Sequence, residues 1–217
     1  MFPVYAISNA NRHCYHDALE QQFRLRHRIF VDELGWEPLR KADGREVDQF
    51  DTEHSVYLLG IEPGGRVVAG TRLGPSLKPH LLADVFPQAA AYRGVPRGPD
   101  IYDWTRIFVV PARRGETHPC RAAGAIKTAL LEYCLANGIR QVTGVGEPYW
   151  IPALSKLGWN PRPLGLPIEH GNMAIFGFTC DVTPEALERT KMVFGFAEPV
   201  LANSSADDDA ARLPALA

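Results

Sequence analysis

Arg106-Ile107-Phe108-Val109-Val110-Pro111-Ala112-Arg113-Arg114-Gly115 is the stretch on which the fold turns. After Arg106 the run to Val110 is continuously apolar, the pattern of a strand covered on both faces. Pro111 ends it, because proline has no N–H to give a strand ladder. A basic, glycine-containing loop follows. Beyond it, Ala122, Ala125, Ile126, Ala129, Leu130, Tyr133 and Cys134 recur at i, i+3, i+4, i+7, i+8, i+11 and i+12. That is one face of an amphipathic helix, which Asn137-Gly138 stops.

Upstream, Ser55–Glu62 and Arg66–Leu73 read as two strands joined by Pro63-Gly64-Gly65, a glycine turn of the hairpin kind. Asp17 can cap a helix over Ala18–Phe30, with Leu19, Phe23 and Arg26 on one side, so that Arg26, Phe30 and Trp36 gather at its end. Lys78–Pro99, rich in Pro and Gly, reads as a surface loop holding a helical turn near Leu81–Phe86. Downstream, Gln141–Val145 reads as a strand, Ile151–Leu157 as a short helix ended by Gly158, and Met173–Val182 as a strand. Thr183-Pro184 then starts a helix to Phe194. Strands and helices interleaved in this way indicate an α/β sandwich around a mixed sheet. One domain over residues 1–200 is expected, with a mobile C-terminal tail over 201–217 that carries Asp207-Asp208-Asp209.

The 217 residues are enough for a sizeable core, and 46% hydrophobic with 22% charged is ordinary for a globular protein. A formal net charge of -2 gives no general attraction to nucleic acid or anionic lipid. Cys14, Cys120, Cys134 and Cys180 have neither CxxC spacing nor histidines at metal-ligand intervals, so neither a metal site nor a disulfide framework is expected. The N-terminus lacks the pattern of a secretory signal, and no stretch approaches the ~20 apolar residues of a membrane span. Reduced thiols and a cytoplasmic location of the bacterial type follow as expectations.

The longest constellation is Arg26-x3-Phe30-x5-Trp36 followed by Asp48-x2-Asp51, continued by Arg72, Phe86 and Arg106. This pattern resembles that of the acyl-homoserine-lactone (autoinducer) synthases, and the likeness runs from Arg24 to Gly165. Asp43-Gly44-Arg45-Glu46-Val47-Asp48, Val85-Phe86-Pro87-Gln88 and Leu164-Gly165-Leu166-Pro167 look like the subgroup that takes branched or aromatic acyl groups from coenzyme A. The segment Val109 to Gly115, leading into a helix, is similar to the cofactor loop of the N-acetyltransferase-like (GNAT-like) fold. The resemblance therefore implies a three-layer α/β/α sandwich around a mixed, twisted sheet. Backbone N–H groups at that helix start, helped by Arg113, Arg114 and Arg121, would hold a pyrophosphate or phosphopantetheine arm.

What the resemblance implies is acylation of the amine of S-adenosylmethionine by an acyl thioester, then lactonisation with loss of methylthioadenosine. No cofactor is tightly bound in such a reaction; the substrates are S-adenosylmethionine and an acyl-coenzyme A or acyl carrier protein. A substrate α-amine of pKa ~7.7–8.0 must lose a proton before it attacks, which gives a carboxylate work to do, and Asp103 is assigned to it. The family usually has Glu there, so Asp103 has a shorter reach and must act through water or from a shifted backbone. Arg26, Arg72 and Arg106 can grip a carboxylate or hold Asp48 and Asp51. Phe30 and Trp36 suit a cationic sulfonium, and the strand around Phe108 and Val109 can offer an oxyanion N–H at a bulge. Thr143, Val145, Trp104, Trp150 and Leu154 are expected to line the acyl pocket. An acyl-carrier-protein donor would need a basic face, for which Arg113, Arg114, Arg121, Lys127, Arg140, Lys156 and Arg162 are the candidates.

Plainer readings stand beside these. Asp48 and Asp51 with Arg26 or Arg72 can simply brace a loop, Phe30 and Trp36 can be core, and a strand hydroxyl such as that of Thr143 often bonds backbone. The rival activities are an acetyl-coenzyme A N-acetyltransferase of the same fold and a non-catalytic ligand-binding relative.

Overall fold

The computed structural model describes residues 2–115, 119–171 and 173–202. In chain order its elements are β1 (Val4–Ile7), α1 (His16–Arg26), β2 (Val56–Ile61), β3 (Val67–Pro75), α2 (Leu81–Asp84), β4 (Ile101–Val109), α3 (Arg121–Ala136), β5 (Gln141–Gly146), α4 (Trp150–Lys156), β6 (Arg162–Pro163), β7 (Ile168–His170), β8 (Met173–Asp181) and α5 (Pro184–Phe194). Two compact units share them. The first takes the chain up to Arg72, then Arg106–Ala129, then from Glu198 on; the second takes Leu73–Thr105 and Leu130–Ala197.

In the first unit the strand order is β1-β2-β3-β4, with β1 antiparallel to β2. The Pro63-Gly64-Gly65 turn forms as its residues require: Gly64 and Gly65 have φ of 96° and 80°, and the Glu62 and Arg66 main chains close it at 2.9 Å. β1 is too short to announce itself and is fixed from outside. It pairs with β2, while the Val4 N–H donates to the Val200 carbonyl at 2.9 Å and the Ala202 N–H to that of Val4 at 2.8 Å. The first residues of the expected tail are thus tied down, and residues 203–217 lie outside the described ones.

Asp17 is not the cap of α1. Tyr15 holds that position without a side-chain bond, and Asp17 lies in the first turn, where a carboxylate complements the positive helix end. Helix α1 also does not run regularly to Phe30. From His27 to Glu33 it widens into a π-helical stretch, seen in the Leu34 N–H bonding back to the Ile29 carbonyl at 3.0 Å, and Gly35 at φ 72° ends it. Leu19, Phe23 and Phe30 bury against Tyr57, Leu59 and Phe108. Each such side chain contributes roughly 1.5–3 kcal/mol of burial.

In the second unit the order is β4-β5-β8-β6, with β7 added to β8. β5 runs parallel to β4 and antiparallel to β8, so the sheet is mixed. Helix α3 ends at the expected place: Gly138 takes φ 69° and the Ile139 N–H returns to the Cys134 carbonyl at 2.9 Å. Thr183 caps α5 by accepting the Ala186 N–H at 3.1 Å, with Pro184 in the first turn. A second core gathers Leu82, Ala89, Ala90 and Leu164, with Phe86 and Val145 packed on it.

Backbones approach closely here. A Cβ on Gly165 would lie 2.6 Å from the Ala89 carbonyl oxygen. We expect Gly165→Ala to lower stability by about 1–3 kcal/mol, the usual cost of overpacking. Denaturant unfolding reads this directly, and an unchanged midpoint would show that the Ala89 segment is free to yield.

Candidate active site

Within the first unit, three arginines and three carboxylates close a ring of alternating charge. Arg26 leaves the end of α1, and its fork meets Asp51 at 2.8 and 2.9 Å while its Nε reaches Glu46 at 2.6 Å. Arg72, near the middle of β3, forks onto Asp48 at 2.6 and 3.0 Å and touches Asp51 at 2.8 Å. Arg106, on β4, forks onto Glu46 at 3.0 Å twice and reaches Asp48 at 2.8 Å. The circuit Arg26–Asp51–Arg72–Asp48–Arg106–Glu46 is neutral, and every guanidinium spans two carboxylates.

Such charges are tolerable under burial because each is paired and hydrogen-bonded. The Tyr57 hydroxyl donates to Asp51 at 2.9 Å, and the main-chain N–H groups of Asp48 and Phe50 donate to Asp51 and Asp48 at 2.8 and 2.9 Å. Burial alone would push the Asp51 carboxyl up, but the charges and hydrogen bonds of Arg26 and Arg72 outweigh it and hold the group below its ordinary range. The same burial opposes charge on Arg26, and Asp51 and Glu46 reverse that, raising it. Burial and the neighbouring Asp51 raise the Tyr57 hydroxyl.

Aromatics complete this region. Phe30 and Trp36 stack with centroids 5.0 Å apart and planes 13° from parallel. The Arg106 guanidinium lies 5.8 and 5.9 Å from the two rings. The Trp36 indole N–H is buried with no hydrogen-bond partner among the described residues. Arg106 itself takes φ 56°, a left-handed conformation inside a strand, which costs about 1–2 kcal/mol for a residue with a side chain. Its bonds to Glu46 and Asp48 hold it there. Phe108 is 3% exposed and packs in the α1 core, so its ring is occupied by protein.

The second unit holds a different cluster. Asp103 on β4 pairs in register with Thr143 on β5, and the Thr143 hydroxyl donates to the Asp103 carboxylate at 2.9 Å. That hydroxyl serves a side chain rather than backbone. His80 Nδ1 is 3.6 Å from the same carboxylate oxygen.

Strand alternation divides the expected acyl-pocket residues between two faces. Thr143 and Val145 share the Asp103 face, where Val145 packs on the Leu82 and Leu164 core. Trp104 takes the other face, with Trp150, Trp159 and Phe178 at 5.4, 5.4 and 6.5 Å between centroids. Gly144 and Gly146 leave room for those rings, since a Cβ there would come within 3.0 Å of Phe178 and 2.8 Å of Trp150. Leu154 is fully buried on α4.

The basic residues named for a docking face are largely paired. Arg113 bonds Glu62, Arg114 bonds Glu33 at 2.7 Å, Arg140 bonds Asp100 at 2.6 Å, and Arg162 bonds Asp181 at 2.5 Å. Residues 116–118, in the loop before α3, lie outside the described ones. The four cysteines are free. No group of three or more His, Cys, Asp or Glu is placed to hold a metal among the described residues, and no described helix is long and apolar enough to cross a membrane.

Sequence reasoning missed Glu46, Tyr57 and His80 as members of these clusters. Glu46 carried one usable signal, since it sits two residues before Asp48 and an extended backbone turns both to one side. Nothing local marked the other two.

A family profile described as autoinducer synthase matches residues 10–190. The chain is 46% identical over 185 residues to isovaleryl-homoserine lactone synthase of Bradyrhizobium diazoefficiens, covering 85% of this chain and 82% of that one. It is 29% identical over 156 residues to a probable acyl-homoserine-lactone synthase of Sinorhizobium fredii, covering 68% and 74%. Among solved structures, a coenzyme A-dependent acyl-homoserine lactone synthase with SAM and isopentyl-CoA superposes with a TM-score of 0.88 at 42% identity over 98% of both chains. A second coenzyme A-dependent synthase gives 0.84 at 38% identity over 93% of this chain and 100% of that one.

The Asp51 carboxylate gives the charge ring a pH signature. Its folded pKa is depressed, so its contribution is full above the unfolded value of ~3.9 and fades as pH falls toward the folded one. Asp51→Asn should cost about 3–5 kcal/mol near neutral pH, the usual effect of breaking a buried pair. The gap between variant and wild type should shrink as pH drops from about 5 to 3. Urea unfolding across that range checks it, and a gap that stays constant would remove Asp51 as the source.

Proposed function

Because the chain belongs to the autoinducer synthase family and is an acyl-homoserine-lactone synthase, we propose a division of labour between its two clusters. The substrates are S-adenosylmethionine and an acyl-coenzyme A, and the product is an N-acyl-homoserine lactone. The relative named for isovaleryl transfer favours a short branched acyl group here. Coenzyme A is favoured over acyl carrier protein as donor because the two synthases of solved structure, at 42% and 38% identity, are both described as coenzyme A-dependent. We place the enzyme in the cytoplasm, where its free thiols persist.

In this reading Asp103 takes the proton from the α-ammonium group of S-adenosylmethionine. The amine then attacks the thioester carbon, coenzyme A leaves as its thiol, and the substrate carboxylate displaces methylthioadenosine from its own γ-carbon. The observation that carries the assignment is the burial of Asp103, 3% exposed, with Thr143 fixing one oxygen. A carboxylate kept from bulk water and held in orientation suits proton abstraction. The left-handed turn at Arg106 breaks the extended run of β4, and the N–H groups near Phe108 and Val109 are our choice for the developing oxyanion. Lactonisation needs no acid, because a sulfonium leaves readily once the methionyl chain is folded on itself.

Arg26, Arg72, Arg106, Asp48 and Asp51 then serve as a brace. Their forks are spent on one another and on Glu46, so they shape the adenosylmethionine site and set Phe30 and Trp36 beside it. The Trp36 indole N–H, buried and unpartnered among the described residues, is the group we assign to substrate contact.

Asp103→Asn should leave the fold intact and slow coenzyme A thiol release by roughly 10²-fold or more, the scale of a lost general base. Near-normal turnover in the purified variant would remove Asp103 from the proton transfer. Trp36→Ala should weaken adenosylmethionine binding in calorimetry by about 1–3 kcal/mol, for the lost stacking and hydrogen-bonding surface. An unchanged affinity would return Trp36 to the core.

A further inference from the structure

His80 has no part in the chemistry derived so far, yet its placement is costly without one. It is 2% exposed and stands in extended conformation at the start of α2, where its main-chain N–H donates to Asp84 at 2.9 Å. That bond fixes the main chain that carries the ring. Both ring nitrogens are buried without a hydrogen-bond partner among the described residues. Each polar group left so costs about 1–3 kcal/mol, and an apolar residue of similar size would avoid it.

The charged oxygen the ring faces is on Asp103, 3.6 Å from Nδ1. This is too long for a hydrogen bond but within an ion-pair distance. The same oxygen accepts the Thr143 hydroxyl at 2.9 Å, so Asp103 is held while His80 stands beside it. Asp103 from β4 and, through the main chain, Asp84 from α2 are the titratable groups facing His80; Thr143 from β5 is uncharged, and no Lys or Arg pairs with the ring among the described residues.

We propose that His80 is a positioning residue acting through Asp103, accepting the proton that Asp103 removes from the substrate ammonium. The inference rests on Asp103 as base. The balance is simple. An N–H bond of the ammonium breaks as an O–H forms on Asp103; that O–H then breaks as an N–H forms on His80 Nδ1, leaving a carboxylate beside an imidazolium. Moving the proton from the carboxyl to the imidazole restores the carboxylate as base. It also makes the reprotonation of the amine by Asp103 less favourable before attack on the thioester.

The test compares His80→Gln, Asp103→Asn and the double variant in coenzyme A thiol release at varied S-adenosylmethionine. His80→Gln should fold normally and lower kcat by roughly 10-fold or more, with KM for S-adenosylmethionine changed less than about threefold. The double variant should be no slower than Asp103→Asn, because a residue acting through another loses its effect when that one is gone. A folded His80→Gln with wild-type kcat, or losses that multiply in the double variant, would each overturn the inference while leaving a slow Asp103→Asn, and with it the base, in place. A fast Asp103→Asn would overturn both.

Discussion

Three guanidinium forks closed onto three carboxylates are the constraint around which the first unit is built. Removing any one member leaves a buried charge unmatched, so the segments that carry them must keep register together: the end of α1, the loop from Glu46 to Asp51, the middle of β3 and the left-handed turn of β4. Neutrality is as important as pairing. A ring with no net charge can sit under aromatic side chains without drawing in counter-ions.

The second unit uses polarity more sparingly. On one face of β5 a threonine, an aspartate and a histidine stand next to an apolar core; on the other, three tryptophans and Phe178 fill the space that Gly144 and Gly146 leave. A carboxylate kept dry on one side of a sheet, with bulky rings confined to the other, is well suited to chemistry that water would spoil.

Much of this was legible in the chain. The hairpin at Pro63-Gly64-Gly65, the helix of Ala122 to Cys134, its stop at Asn137-Gly138 and the Thr183-Pro184 start each rest on local rules, and each stands. What was hidden is non-local. Glu46 lies in a polar run that reads as loop, and its bond to Arg106 joins residues 60 positions apart. The π-helical widening after Arg26 has no sequence marker, and β1 exists only through its partners. The assignment of Thr143, Val145, Trp104 and Trp150 to one pocket neglected the two-residue period of a strand, which separates them. Local propensity dictates elements well; side chains that meet across the fold are decided by packing.

The protein joins an acyl group to the amine of S-adenosylmethionine and closes the lactone. Mass spectrometry of a single-turnover reaction with isovaleryl-coenzyme A tests it most directly. The expected products are N-isovaleryl-homoserine lactone and methylthioadenosine in equal amounts. Coenzyme A release with an acylated amine but no methylthioadenosine, as from an ordinary N-acyltransferase, would contradict it.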